Sequence, residues 1–117
     1  MDLSKYTKTL TSGQKAFFMA YIEAIYFTET GDNCQPSSHA DLTDATIRQA
    51  VDDCRKFYNV YHEVIPDAAN AGHDFWLTRC GHGAGFWDRP EVYGYQMSQE
   101  LTRASELVGE AYVDFEE

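Results

Sequence analysis

Residues 12–28, SGQKAFFMAYIEAIYFT, place Phe17, Phe18, Tyr21, Ile22, Ile25 and Tyr26 around well over half the circumference of a helix. A helix with so broad an apolar arc cannot lie on a surface with one face in water. It must be covered on two sides, by its own core and, as an expectation, by a second subunit in a homodimer. Ser12 or Thr11 is placed to cap its start, and Gly31 stands just past its end.

A second helix is predicted over Thr43–Val64. Thr43 is its N-cap, Asp44 suits its first turn and Pro66 stops it. Ile47, Val51, Cys54, Tyr58, Tyr61 and Ile65 recur at three- and four-residue spacing and form its expected buried stripe. The polar stretch 32–41, with Pro36, reads as a loop between these helices, and residues 1–10 as a mobile or loosely docked arm. After Pro90, Tyr93, Met97, Leu101, Ala104 and Val108 predict a third helix capped by Gly109.

Between the last two helices lies AGHDFWLTRCGHGAGFWDR, residues 71–89. Short aromatic segments flanking a glycine-containing turn have the composition of a β-hairpin, and EAYVDF (110–115) alternates as a third strand would. The expected order is therefore α-α-β-β-α-β: an α+β domain with a small antiparallel three-stranded sheet packed by helices. Residues 1–117 read as one domain, long enough for a core without disulfide or metal staples. The odd cysteine count (Cys34, Cys54, Cys80), with no CxxC, predicts reduced thiols. With no long apolar run at the start, the expected location is the cytoplasm.

The glycine-rich stretch also carries the candidate chemistry. Cys80-x-His82 with His73 offers zinc-compatible ligands, but a structural site needs four, and no second pair is evident; no metal or cofactor is expected. His73, Asp74 and His82 beside Cys80 contain the residue types of a Cys-His-acid arrangement, the basis for a less favoured enzyme or small-ligand reading. GxSxG, GxGxxG and GxxxxGK[ST] are all absent. In the expected hairpin, Trp76 and Trp87 present an aromatic surface, the anchor of an alternative reading as a protein-interaction module.

Charge is the strongest bulk signal. The formal net charge is −10, and because Lys5, Lys8 and Lys15 balance Asp2, Glu23 and Glu29, the rest of the chain carries all of it. Such a field repels nucleic acid and phosphate-rich ligands and favours basic partners.

The 71–89 stretch resembles the signature of a family of small, uncharacterised phage and prophage proteins, in which a helical half like AYIEAIYFTETGD and DDCRKF precedes it. The resemblance covers about residues 17–108. Cys80 departs from the asparagine expected before the glycine, and that departure argues against a cysteine nucleophile. What the resemblance implies is an accessory role, in which a small phage protein binds a host enzyme. Joined to the acidity, it predicts a non-enzymatic inhibitor of a host nucleic-acid-processing enzyme, such as DNA gyrase or a defence nuclease, acting through a DNA-like acidic surface. The partner is then a host DNA-binding protein, without direct nucleic-acid or membrane contact. The candidate carboxylates are Asp41, Asp44, Asp52, Asp53, Glu63 and Asp67 in the middle and Glu100, Glu106, Glu110, Asp114, Glu116 and Glu117 at the end. Arg48, Arg55 and Lys56 interrupt the middle set.

Overall fold

A computed structural model describes residues 2–30, 41–81, 83–111 and 113–116. Within them the chain is an all-helical small globule, 75% helical, with no strand. Helices α1 (Ser4–Thr7), α2 (Ser12–Thr30), α3 (Asp44–Tyr61), α4 (Ala68–Cys80), α5 (Pro90–Tyr93) and α6 (Tyr95–Val108) follow in order, with single 3-10 turns at His62–Val64 and Phe86–Asp88. The readings of Gly31, Cys34, Pro36, His82 and Glu117 lie outside the described residues.

Helix α2 runs through the middle. Thr11 and Gln14 form a reciprocal cap: Gln14 N donates to Thr11 Oγ1 at 3.1 Å and Thr11 N to Gln14 Oε1 at 3.0 Å. Its broad apolar arc is covered within the chain, chiefly by α3 and α4, leaving a narrow exposed stripe through Lys15, Met19, Glu23 and Phe27. The arc therefore needs no second subunit to bury it. Helix α3 starts where its cap predicts, Thr43 Oγ1 accepting from Thr46 N at 3.3 Å. Its buried face is Thr46, Ile47, Ala50, Cys54 and Phe57, while Tyr58 and Tyr61, placed on the stripe by spacing, are only partly buried. Phe57 is the hub of an aromatic core, stacking on Phe75 at 4.3 Å between centroids, on Phe86 at 5.8 Å and on Phe17 at 5.9 Å.

The hairpin and the α+β class are overturned. Residues 68–80 are helix α4, entered from Asp67, whose carboxylate accepts from Asn70 N at 3.0 Å, and left at Gly81 in the left-handed region, φ 69°. The aromatic alternation that suggested a strand does not sort residues to two faces: Asp74, Phe75, Trp76 and Thr78 are all buried, because α2 covers one side of α4 and α6 with the 86–88 turn the other. Gly72 marks no turn. It lies where α4 crosses α2 most closely, and an added Cβ would collide with the backbone carbonyl of Phe17 and approach Ala20 Cβ to 2.9 Å. The proposed third strand contributes only an isolated antiparallel bridge, Leu42 to Phe115, with Thr43 N donating to Asp114 O at 2.9 Å and Glu116 N to Asp41 O at 2.7 Å. The expected helix after Pro90 is broken at Gly94 into α5 and α6.

At the start of the chain α1 is docked, with Leu3 and Thr7 buried and Tyr6 donating to Asp44 Oδ1 at 2.6 Å. No helix among the described residues is long and apolar enough to cross a membrane.

The two tryptophans part company. Trp76 is 2% exposed, edge-on to Tyr21, and its indole N–H donates to Thr28 Oγ1 at 2.7 Å, whereas Trp87 is 51% exposed. Trp76→Phe, which deletes that donor, is expected to cost about 1–2 kcal/mol in urea unfolding, and Trp87→Phe less than about 0.5 kcal/mol. Equal losses would contradict this placement.

Candidate functional site

An arginine in an apolar stretch must find a carboxylate or carbonyls, and the residues around 71–89 include two such arginines. Asp74, 1% exposed, accepts from Arg89 Nε at 2.7 Å on one oxygen and from the Tyr93 hydroxyl at 2.8 Å on the other. Thr78 extends the network: its hydroxyl donates to the Asp74 carbonyl at 2.7 Å and accepts from Phe86 N at 3.0 Å. These bonds fasten the end of α4 to the 86–88 turn and to α5. Each Asp74 carboxylate oxygen is thereby engaged by a donor of its own chain.

Arg79, with a side chain 2% exposed, bridges α3, α2 and the segment after α6. Its Nη1 donates to Asp53 Oδ2 at 2.8 Å and to the Tyr21 hydroxyl at 2.9 Å, its Nε donates to the Gly109 carbonyl at 3.1 Å, and it lies over the Phe75 ring. Asp53, counted above among the surface carboxylates, is 12% exposed and neutralises this cation. Helical spacing marks Tyr21 and Tyr93 only as core residues and does not mark Arg79 or Arg89; the signal for the networks lies in two arginines embedded between aromatic residues.

Burial pushes the hydroxyls of both Tyr21 and Tyr93 well above the ordinary tyrosine range, with the Cys54 thiol beside Tyr21 and the Asp74 carboxylate beside Tyr93 adding to it. Raised folded-state values mean that the stabilisation is intact below the unfolded pKa, about 10, and falls as pH climbs from there toward the folded values. Urea midpoints measured from about pH 7 to 11.5 should begin to fall at about pH 8.5, where the unfolded Cys54 thiol ionises while burial keeps the folded one protonated, and fall more steeply above about pH 10, less so in Tyr93→Phe. A flat profile throughout would contradict the tyrosine burial.

The remaining candidate groups do not converge. His73 and Cys80 are partly buried on α4, His82 is outside the described residues, and no group of three or more His, Cys, Asp or Glu among the described residues is placed to hold a metal ion.

The acidic candidates divide by environment. Asp44 is paired with Arg48 at 2.7 Å, and Asp52 with Lys56 at 3.0 Å and Arg55 at 3.1 Å. The Tyr6 hydroxyl and Arg48 hold the Asp44 carboxyl below its ordinary value, and Lys56 and Arg55 do the same for Asp52. Asp67 caps α4. Asp41, Glu63, Glu100, Glu106, Glu110, Asp114 and Glu116 are exposed, and among the described residues no ion pair reaches any of the five glutamates. The Leu42–Phe115 bridge brings the middle and terminal sets together: Asp2, Asp41, Asp44 and Glu116 line one hollow of about 230 Å³, with Lys5 as its cation. Compared with protein families, with curated proteins and with solved structures, the chain matches none of them.

Proposed function

We propose that the chain is a non-enzymatic phage accessory protein that inhibits a host nucleic-acid-processing enzyme, by occupying its basic DNA path with an acidic surface. The observation that carries this reading is the meeting of Asp41, Glu116 and Asp2 at the 42–115 bridge, which joins carboxylates from distant parts of the sequence into one patch. Glu100, Glu106 and Glu110, exposed on and just after α6, extend the acidic character of the surface.

Magnitudes set what such a surface can do. The long axis is 42 Å, and a duplex of that length carries about 25 phosphate charges, at one per 1.7 Å. The chain's −10 is somewhat under half of that, and Asp44, Asp52 and Asp53 are locally neutralised. The surface is a diluted DNA, suited to a positively charged groove such as that of DNA gyrase or a defence nuclease, with affinity that falls with salt. Burial of Trp76 removes half of the aromatic anchor on which the competing interaction-module reading rested.

The test is capture from host lysate at low and moderate salt, followed by purification of the retained protein and competition with duplex DNA. The expected result is a nucleic-acid enzyme, released by DNA and by salt, whose binding is lost in the Asp2→Lys, Asp41→Lys, Glu116→Lys triple variant, weakened in Glu100→Lys, Glu106→Lys, Glu110→Lys, and kept in Trp87→Ala. Binding that resists salt and fails in Trp87→Ala, or a retained protein without nucleic-acid function, would overturn the reading.

A further inference from the structure

On this acidic chain the cations are not scattered. More than half of the nine Lys and Arg residues, namely Lys5, Lys8, Arg48, Arg55 and Lys56, fall on α1, its end, or α3. Between these two helices runs a groove of about 290 Å³, lined by Lys5, Tyr6, Thr9, Arg48, Val51, Asp52 and Arg55. Its α3 wall is one helical stripe: Arg48, Val51, Asp52 and Arg55 stand at i, i+3, i+4 and i+7, so they share a face. The α1 wall supplies Tyr6, with Lys5 Nζ 5.0 Å and Arg48 Cζ 5.6 Å from its ring centroid.

We propose that this groove binds a small phosphate-bearing ligand, at a site that borders the acidic hollow and shares Lys5 and Tyr6 with it. The local charge is the first argument. Lys5, Arg48, Arg55 and Lys56 face only Asp44 and Asp52 in the ion pairs of this region, and Lys5 makes no ion pair among the described residues. The groove's lining thus holds three cations, Lys5, Arg48 and Arg55, against one carboxylate, Asp52, with Lys5 also facing the carboxylates of the adjoining hollow.

Donor geometry is the second. A guanidinium has five N–H donors in a fixed fork. Arg48 gives its Nε to Asp44, and Arg55 gives Nη2 to Asp52, so each is held in place by a neighbour on its own helix while other donors remain for an incoming oxyanion. The third argument is selection. Asp2, Asp41 and Glu116 line the adjoining hollow, which shares Lys5 and Tyr6 with the groove. They direct a ligand's charge toward the Arg48–Arg55 side, and the overall field repels a long polyanion while a compact one can still enter. The volume, just below the range usual for ligand pockets, fits a small molecule.

The experiment is an NMR titration of the amide signals of the intact chain with inorganic pyrophosphate, and separately with adenosine monophosphate, against sodium chloride at matched ionic strength. Saturable shifts confined to residues around 5–9 and 48–55 are expected, with a dissociation constant raised about tenfold or more in Arg48→Ala and in Arg55→Ala. Arg103→Gln should bind as the unaltered chain does, and unchanged thermal unfolding of each variant shows that the fold is kept. Saturation by adenosine monophosphate in preference to pyrophosphate would identify a nucleotide, and the reverse an inorganic phosphate; both support the site. Shifts reproduced by chloride, shifts spread over every cation, or affinity unchanged in both arginine variants would overturn it. Saturation by a glutamate-rich peptide alone would also overturn it, in favour of protein docking.

Discussion

Arg89→Ala is expected to destabilise the fold by about 3 kcal/mol, the lower end of what removing one partner from a buried ion pair costs. The lower end applies because the arginine side chain is 42% exposed while its carboxylate is 1% exposed, so water can reach the vacated side of the pair. Without Arg89, the Asp74 carboxylate is left with the Tyr93 hydroxyl as its remaining side-chain donor. For a chain of this length the loss corresponds to a fall in Tm of roughly 12 °C. Thermal and urea unfolding at pH 7 would measure it. The double variant Asp74→Asn with Arg89→Gln should lose clearly less than the sum of its single changes, since neighbours in one network are not additive. A loss below about 1 kcal/mol in Arg89→Ala would put Asp74 among ordinary surface-tolerant positions and remove the network from the account of the fold.

The second large effect runs against helix propensity. Alanine is favoured over glycine inside a helix by about 1 kcal/mol, yet Gly72→Ala is expected to cost about 3 kcal/mol net, at the upper end of overpacking penalties. The colliding atom on α2 is the carbonyl oxygen of Phe17, which belongs to a backbone committed to its own helix and cannot rotate aside. Helices α2 and α4 would have to move apart, and the Phe17–Phe57–Phe75 stacking sits at that crossing. Urea unfolding decides the matter by sign: a gain in stability would mean that the crossing is looser than described.

The same glycine shows why part of the fold was legible in the sequence and part was not. Helices α2 and α3 announce themselves through Thr11, Gln14 and Thr43, whose side chains cap the first turn, and through apolar residues at helical spacing. Such signals are local, and local physics is what a sequence displays. Helix α4 had its own markers, Asp67 after Pro66 at one end and Gly81 at the other, but aromatic density and repeated glycines imitate a hairpin. A glycine needed for positive φ and one needed for close helix approach are the same letter. Only the partner helix distinguishes them, and the partner lies about fifty residues away in the chain.

The candidate site divides along the same line. Exposed glutamates on α6 were readable, because a charged residue on the polar side of an amphipathic helix stays in water. That Asp53 and Asp74 are consumed by Arg79 and Arg89 depends on tertiary placement, as does the separation of Trp76 from Trp87 between core and solvent.

The bridge between Leu42 and Phe115, together with the docking of Tyr6 on Asp44, has a practical consequence. Asp2 and Glu116 border the same hollow, so a group attached beside either residue lies next to the acidic patch. A bulky or polycationic affinity tag there would shield the carboxylates whose role is in question, and a failed binding assay with such a fusion would be uninformative.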